Sequence, residues 1–353
     1  MQRVRMLKKS ECVRPAGAPP GALVRIFRVP PEWASKRLDT FLSAQLRNTS
    51  RTRARAIIEQ SAYDPLGQRM KPSERLKAES FVVLWRRPPD ESDEPVPIPV
   101  LYEDEHLLVV DKPPLLTVHP TARHHRITVL SLLEAERPGQ FLSLIHRLDR
   151  ETSGILMLAK SQDADRAFKR RLEDRSRAET NQYGLTPDTG PSIGKTYLAI
   201  TWGIPEAGLI DVPLEPDTDN SLRVKMRVAT GGVGDGAPGM EARTLVEVLE
   251  TRNNYALIRC RLLTGRQHQI RIHLASQGFP VVGDKLYGPD ERLLARAADG
   301  ELTDEDLQKL ELPRQALHAH SYALEHAISG EQLELVAPLP QDLQEFWDEQ
   351  LPD

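Results

Sequence analysis

The chain of 353 residues contains few cysteines and few aromatic residues. Cys12 and Cys260 are its only cysteines, so the sequence predicts neither a disulfide framework nor a cysteine-based zinc site. Its longest apolar runs fall well short of the roughly 20 residues that cross a bilayer. No apolar stretch of signal-peptide length follows the basic residues 1–9. We therefore expect a protein of the reducing cytoplasm that has no membrane partner.

Charge is distributed unevenly along the chain. The net charge of −4 alone argues against a nucleic-acid-binding protein. However, residues 1–87 contain 19 Lys+Arg and 7 Asp+Glu, whereas residues 88–353 contain 28 Lys+Arg and 44 Asp+Glu. A basic region joined to an acidic body indicates a polyanionic partner for the basic part, although a basic tail that only improves solubility would give the same count.

The basic region divides into a tail and a periodic segment. Residues 1–24 combine basic residues with Pro, Gly and Ala, and we predict a disordered basic tail there. Residues 25–88 begin a folded domain. Apolar side chains recur in it at the spacing of an amphipathic helix, at Leu38, Phe41, Leu42 and Leu46.

A second helix is predicted to follow, with Thr49 or Ser50 as its N-cap. Arg51, Arg53 and Arg55 lie close together at its start, where backbone amides also favour phosphate. These arginines are candidate RNA-binding residues, and a solvated helix face is the alternative interpretation. Residues 81–85 are predicted to form a strand.

Residues 89–99 are rich in Pro and acidic residues, and we predict an extended linker there. Residues 100–353 then form the main domain. Within it, residues 163–175 have the pattern of a charged helix. Residues 176–193 are polar and are predicted to form a long loop.

Residues 145–160 (IHRLDRETSGILMLAK) combine a charged half with an apolar half. The apolar half has no helical period and predicts a buried strand entered through Gly154. A charged loop leading into a core strand can hold Asp149 on a rigid scaffold. A salt-bridged turn that only caps the strand is the structural alternative.

Further patterned segments occur in the main domain. They are residues 111–113 (DKP), 195–197 (KTY), 264–274 (TGRQHQIRIHL), 282–288 (VGDKLYG) and 317–320 (LHAH). His268 and His273 are five residues apart with no Glu between them, which does not fit a zinc-binding His-Glu-Xaa-Xaa-His helix. We therefore expect no metal site.

Together, these segments resemble the RluA/RluC/RluD family of RNA pseudouridine synthases in content and order, over about residues 100–345. The resemblance implies an α+β fold, with a core of mixed, mainly antiparallel sheet and surrounding helices. It implies an isomerase that converts uridine in RNA to pseudouridine without a cofactor. Residues 25–88 resemble the small RNA-binding domain named after ribosomal protein S-four, through residues 37–42 and 50–53. Residues 61–63 depart from the usual Gly-Xaa-Val turn of that domain.

The resemblance also implies roles for individual residues. Asp149 would start the reaction as base or nucleophile, and Arg271 would hold its pKa down. Tyr197 would stack on the uracil and assist proton removal. Arg147 would fill the gap left by the flipped uridine, with His146 beside it as a second RNA-binding residue. Arg150 and Glu151 are expected to be structural ion-pair partners.

Two other functions remain open from the sequence. An RNA-binding assembly factor that has lost catalysis would not need Asp149, Tyr197 and Arg271 together. A glycosidase acting on nucleosides needs a second acid, and only Glu151 lies nearby in sequence. Large-subunit ribosomal RNA is the expected substrate by family analogy, with transfer RNA second, and the protein is expected to act as a monomer.

Overall fold

The computed structural model describes residues 7–19, 22–46, 49–86, 96–119, 127–182, 194–220, 224–234, 239–299 and 302–350. The chain divides into two compact units, Met1–Ser92 and Asp93–Asp353.

The smaller unit packs two helices against a three-stranded antiparallel sheet. Its strand order is β1-β3-β2, and its elements are β1 (Leu23–Arg28), α1 (Leu38–Gln45), α2 (Arg51–Ser61), β2 (Ala62–Tyr63) and β3 (Phe81–Arg86). Leu38, Phe41 and Leu42 are fully buried, as the helical spacing predicts. Asp39 is also buried, because Arg37 donates two hydrogen bonds to its carboxylate.

Part of the expected N-terminal tail is ordered, which corrects the prediction of disorder over residues 7–19. The Val13 amide donates to the Pro65 carbonyl at 2.9 Å. Cys12 and Ala18 pack beside Tyr63 in a small apolar cluster. These scattered apolar side chains lack the periodicity that would have indicated structure. Residues 1–6 and 20–21 lie outside the described residues.

The larger unit is built on one ten-stranded sheet. Its main path runs in the order β4-β5-β7-β14-β8-β13-β12-β9, with β6 paired to β7 and β15 paired to β14. These strands are β4 (Val100–Glu103), β5 (Leu107–Lys112), β6 (Ser143–Leu144), β7 (Ser153–Ala159), β8 (Lys195–Trp202), β9 (Gly208–Asp211), β12 (Arg243–Arg252), β13 (Tyr255–Leu262), β14 (Leu317–Glu325) and β15 (Gln332–Val336).

A two-stranded ribbon and six helices complete the described part of this unit. They are β10 (Leu214–Pro216), β11 (Met226–Val228), α3 (Val129–Glu136), α4 (Gln162–Gln182), α5 (Gln269–Ser276), α6 (Arg292–Asp299), α7 (Asp304–Leu310) and α8 (Gln341–Asp348). Only the β7–β14 pairing is parallel among the pairings of the large sheet. The predicted fold class, a mixed and mainly antiparallel sheet with surrounding helices, is confirmed.

Strand β7 is buried on both faces of the sheet, which explains its unbroken apolar sequence. Leu156 and Leu158 face the larger core, and Ile155 and Met157 face the second core beside α4. Alternate residues of a strand point to opposite faces, so both sets are covered. The charged turn before β7 is therefore attached to a rigid element.

One sequence prediction beside this core needs correction, and another stays untested over most of its length. The sequence predicts a loop over residues 176–193, but helix α4 extends into this segment as far as Gln182. Residues 183–193 lie outside the described residues. Of the expected linker 89–99, residues 96–99 are described, and Ile98 is buried in the larger core.

Gly154 allows the close approach of β7 to β14 that sets the position of the turn. Its φ is +107°, and a Cβ there would lie 2.3 Å from the Ala319 carbonyl oxygen. Only glycine adopts this conformation without strain and leaves room for the neighbouring backbone. The predicted entry to the strand through a glycine thus has a steric reason.

Candidate active site

Asp149 and Arg271 form an ion pair in the larger unit. Arg271 Nη1 donates to Asp149 Oδ2 at 2.7 Å. The Arg271 side chain is almost completely buried, whereas 30% of the Asp149 side chain is exposed. The buried Arg271 thus fixes the Asp149 carboxylate, which remains partly accessible from outside the protein.

Asp284 holds Arg271 from the other side. Arg271 donates to it from Nε at 2.6 Å and from Nη2 at 2.8 Å. Asp284 is fully buried, and its Oδ1 also accepts the backbone amides of Leu286 and Tyr287. A bidentate pair of this kind fixes the plane of the guanidinium. Arg271 can therefore offer only its remaining nitrogen to Asp149.

The charges of this cluster favour ionised carboxylates. Burial alone would raise the pKa of Asp149, but nearby His268 and Arg271 hold that pKa below its ordinary value. Because burial lowers the pKa of His268 to about 4, Arg271 supplies the positive charge at neutral pH. The pKa of Asp284 is lowered in the same way by Arg271, against the effect of burial. Asp149 is thus a carboxylate at neutral pH.

Lys112 fastens the turn that carries Asp149. Its ammonium is completely buried and donates to three backbone carbonyls, those of Pro113, Leu116 and Arg150. Burial is the main reason why its pKa falls to about 7. The first turn after β5 and the turn before β7 are therefore tied together by one side chain.

Residues after Asp149 are fixed by the segment before β14. Gln315 donates to Thr152 Oγ1 at 2.7 Å and to Asp149 Oδ2 at 3.4 Å. Glu151 accepts from Lys285 at 2.9 Å and lies 3.9 Å from Arg150. The prediction that Glu151 is a structural ion-pair partner agrees with this geometry, with Lys285 as its nearer partner.

His268 lies on the other oxygen of Asp149. Its Nε2 is 3.8 Å from Asp149 Oδ1, and its Nδ1 is 2.9 Å from Tyr287 Oη. The Tyr287 ring contacts the His268 ring edge to face and also lies under the Arg271 guanidinium, 5.1 Å from its ring centroid. Both residues lie in the sequence motifs, but the resemblance implies no role for either of them.

Tyr197 and His146 are inside the domain. Tyr197 is on β8, and burial followed by the Asp149 charge raises its pKa, so its phenol keeps its proton. His146 accepts the Met157 amide on Nε2 and lines a small cavity together with Tyr197 and Lys195. The ring of His146 is directed towards β7, and its expected contact with RNA stays a prediction.

The predicted RNA-binding arginines are exposed where the structure describes them. Arg147 is exposed on the turn before Asp149. On α2, the side chains of Arg51 and Arg55 are 60% and 66% exposed, although each lies near a carboxylate, Asp39 or Glu59. The side chain of Arg53 lies outside the described part of the structure.

The described residues contain neither a cluster of metal-ligand side chains nor a helix that could span a membrane. No group of three or more His, Cys, Asp or Glu side chains is arranged there to hold a metal ion. None of the helices described combines the length and the apolar character needed to cross a membrane.

Comparisons with known proteins agree with this geometry. A model of the family described as RNA pseudouridylate synthase matches residues 106–276. An uncharacterised RNA pseudouridine synthase of Chloroflexus aurantiacus is 35% identical over 91% of this chain and 92% of its own. Ribosomal large subunit pseudouridine synthase D of Neisseria meningitidis is 32% identical over 89% of this chain and 79% of its own.

A solved structure shows the same similarity. Human RNA pseudouridylate synthase domain containing 4 superposes with a TM-score of 0.52 at 26% identity, covering 72% of this chain and 95% of its own. Fold and relatives together define an isomerase that forms pseudouridine in RNA. The chain belongs to the RluA/RluD type of RNA pseudouridine synthases, as the sequence motifs predict.

Proposed function

We propose that this enzyme modifies large-subunit ribosomal RNA with Asp149 as its reacting carboxylate. The observation that carries the proposal is the ion pair between Asp149 and the buried Arg271, which keeps one partly exposed carboxylate ionised and fixed. A carboxylate that is already held in place lowers the entropic cost of bringing it together with the bound uridine.

The reaction requires that the bond between the ribose and N1 of uracil breaks and that the base rejoins through carbon. Asp149 begins this either by attacking the sugar or by removing a proton from it, and both routes need an ionised oxygen. Arg271 stabilises that charge and is itself oriented by Asp284. Gln315 adds a second donor to the same Asp149 oxygen.

Tyr197 supplies a flat apolar surface for the base in this proposal. Its ring is on a buried strand and does not need to move. Its raised pKa makes the phenolate inaccessible at neutral pH, so stacking is better supported than removal of a proton by Tyr197. The proton on the rotated uracil then passes to another group or to water.

Arg147 is proposed to occupy the position that the flipped uridine leaves. Flipping a nucleotide costs a few kcal/mol in lost stacking. A planar guanidinium can stack on the neighbouring bases and offset this cost. The exposed Arg147, two residues before Asp149, is suited to reach the RNA while Asp149 reaches the sugar.

The smaller unit is proposed to be an S-four-like RNA-binding domain. Its exposed Arg51 and Arg55 are one helical turn apart on α2, and this part of the chain carries the excess of positive charge. Such contacts to phosphates give affinity that depends on salt and not on sequence. Arg53 belongs to the same basic segment of the sequence, and its contact with RNA stays a prediction.

The choice of ribosomal RNA rests on relatives. Proteins named ribosomal large subunit pseudouridine synthase D from Neisseria, Zymomonas and Pseudomonas are 31–33% identical to this chain over most of its length. We further propose a cytoplasmic enzyme that acts as a monomer, since the Asp149 cluster is complete within one chain.

Mapping of pseudouridine in ribosomal and transfer RNA tests the proposal. Cells with and without the gene are compared, and the deletion is complemented by the wild type or by Asp149→Asn. We expect one or more sites in large-subunit RNA to disappear on deletion and to return only with the wild type. If the lost sites lie only in transfer RNA, transfer RNA and not large-subunit ribosomal RNA is the substrate. Full rescue by Asp149→Asn would refute the assignment of the carboxylate.

A further inference from the structure

The His268 ring is held in one orientation between Tyr287 and Asp149. Its backbone is left-handed, with φ of 57°, in the residue immediately before α5. A residue other than glycine is strained in this conformation, and the surroundings must offset that strain. The Tyr287 ring packs edge to face on the imidazole, with ring centroids 5.6 Å apart. The direction of both ring nitrogens is therefore fixed.

Hydrogen bonding determines which nitrogen carries the proton. Tyr287 Oη accepts the Met226 amide at 3.0 Å, so its own proton remains available for His268 Nδ1. A neutral imidazole has one N–H, and the carboxylate opposite Nε2 favours the proton on that nitrogen. Burial lowers the pKa of His268 to about 4, so the ring stays neutral at physiological pH. His268 thus directs an N–H towards Asp149 from Nε2.

Among the described residues, this N–H has no hydrogen-bond acceptor. The separation of 3.8 Å between Nε2 and Asp149 Oδ1 is too long for a hydrogen bond. Both hydrogen bonds that Asp149 accepts from described side chains, those of Arg271 and Gln315, fall on Oδ2. Within the described part of the chain, the His268 Nε2–H therefore lacks an acceptor, Asp149 Oδ1 lacks a donor, and the two atoms face each other.

We propose that His268 is a substrate-contacting residue whose Nε2–H donates a hydrogen bond to O2 of the target uracil. The proposal rests on the function proposed for Asp149, because Oδ1 is taken as the oxygen that approaches the ribose. O2 belongs to the carbon next to N1, so it lies close to any group that reaches the sugar carbon bonded to N1.

The chemistry explains why a donor is useful at that place. When the bond between the sugar carbon and N1 breaks, its electron pair moves onto N1 and is shared with O2. A fixed neutral donor stabilises this charge without losing its own proton. The contact strengthens as charge develops, so it accelerates the reaction more than it tightens binding. The hydrogen bond helps whether Asp149 acts as a nucleophile or as a base, because the electron pair of the broken bond moves to uracil on both routes.

The test combines enzyme variants with an altered base. His268→Leu removes the donor, His268→Gln replaces it with a side-chain amide, and Tyr287→Phe removes the group that fixes the tautomer. Each full-length variant is assayed on a short synthetic RNA hairpin with uridine or 2-thiouridine at the mapped target. Sulfur accepts hydrogen bonds more weakly than oxygen, so 2-thiouridine weakens the proposed contact without changing the protein.

On uridine RNA, we expect His268→Leu to lower kcat by about 10²-fold, as removal of an oxyanion donor does elsewhere. RNA affinity should change much less, and His268→Gln should recover most of the loss. On 2-thiouridine RNA the difference between wild type and His268→Leu should shrink to a few-fold. Tyr287→Phe should reduce kcat in the wild-type background and have no further effect in His268→Leu.

Three results would overturn the proposal: unchanged kcat in His268→Leu, an equal loss on both RNAs, or a His268→Gln variant as slow as His268→Leu. If the leucine variant does not fold, Tyr287→Phe and His268→Gln on the two RNAs decide the question. Failure of the proposed function is distinct, because Asp149→Asn would then be as active as the wild type on uridine RNA.

Discussion

Arg271 and Asp149 meet at 2.7 Å although 122 residues separate them in the chain. Arg271 also forms a bidentate pair with Asp284, so one guanidinium connects a structural carboxylate to a candidate catalytic one. The structural contribution of this side chain and its proposed catalytic contribution can be measured separately.

The Asp149→Asn variant should lose turnover while it keeps its fold and its RNA binding. The amide oxygen can still accept from Arg271, but it is neither a base nor a nucleophile. We expect kcat to fall by about 10²–10⁴-fold or more, the range for loss of a positioned acid–base group. Single-turnover assays and filter binding on the same RNA measure the two effects. Asp163→Asn, on an exposed position of α4, is the matched control and should be fully active.

Asp284→Asn should destabilise the protein much more than the same change at a surface ion pair. It leaves the buried Arg271 charge with one carboxylate, and breaking a buried pair costs about 3–5 kcal/mol. Asp211→Asn, where the carboxylate is half exposed and pairs with Arg243, should cost no more than about 1 kcal/mol. Denaturant unfolding compares them, and equal losses would contradict the structural role of Asp284.

Gly154→Ala should be far more damaging than the same change at Gly330. Both glycines have positive φ, but a Cβ at 154 would meet the Ala319 carbonyl oxygen, while one at 330 has open space. Gly330→Ala should therefore cost about 1–2 kcal/mol for its backbone conformation alone. Gly154→Ala must also separate β7 from β14, and soluble expression with thermal unfolding should show a much larger loss.

Stability should fall as the pH is lowered from 6.5 to 4, because of buried histidines. Burial lowers the pKa of His318 from 6.5 to about 4. In this window the unfolded state binds a proton that the folded state does not, so stability rises with pH, by up to about 1.4 kcal/mol per unit and per histidine. Unfolding of His318→Asn as a function of pH should show a smaller slope. Ser153→Ala, which removes only the hydroxyl bonded to His318, should keep most of it.

Replacing both Arg51 and Arg55 by alanine should weaken RNA binding and reduce its dependence on salt. Each lost phosphate contact lowers the slope of log K against log salt by about 0.7–0.9. Arg28→Ala, at a paired arginine of the same unit, serves as the control. An unchanged slope in the double variant would show that Arg51 and Arg55 of α2 do not contact RNA phosphates.

Much of this architecture was predictable from sequence, because local patterns determine it. The apolar run 155–159 predicts a buried strand, and the family motifs place Asp149 and Arg271 in one site. The sequence does not reveal that Asp284 is the second partner of Arg271, since that contact depends on packing. It also does not show that His146 points inwards, because a histidine in a charged motif is compatible with either orientation.

The location of β14 between β7 and β8 has a consequence for protein synthesis. Asp149 precedes β7 and Tyr197 is on β8, yet these two strands are joined in the sheet only through residues 317–325. A nascent chain that has emerged only as far as α7 lacks this strand and also Gln315 and Arg314. The sheet that holds the candidate site together is therefore completed late in translation, and we expect a fragment that ends before β14 to be inactive.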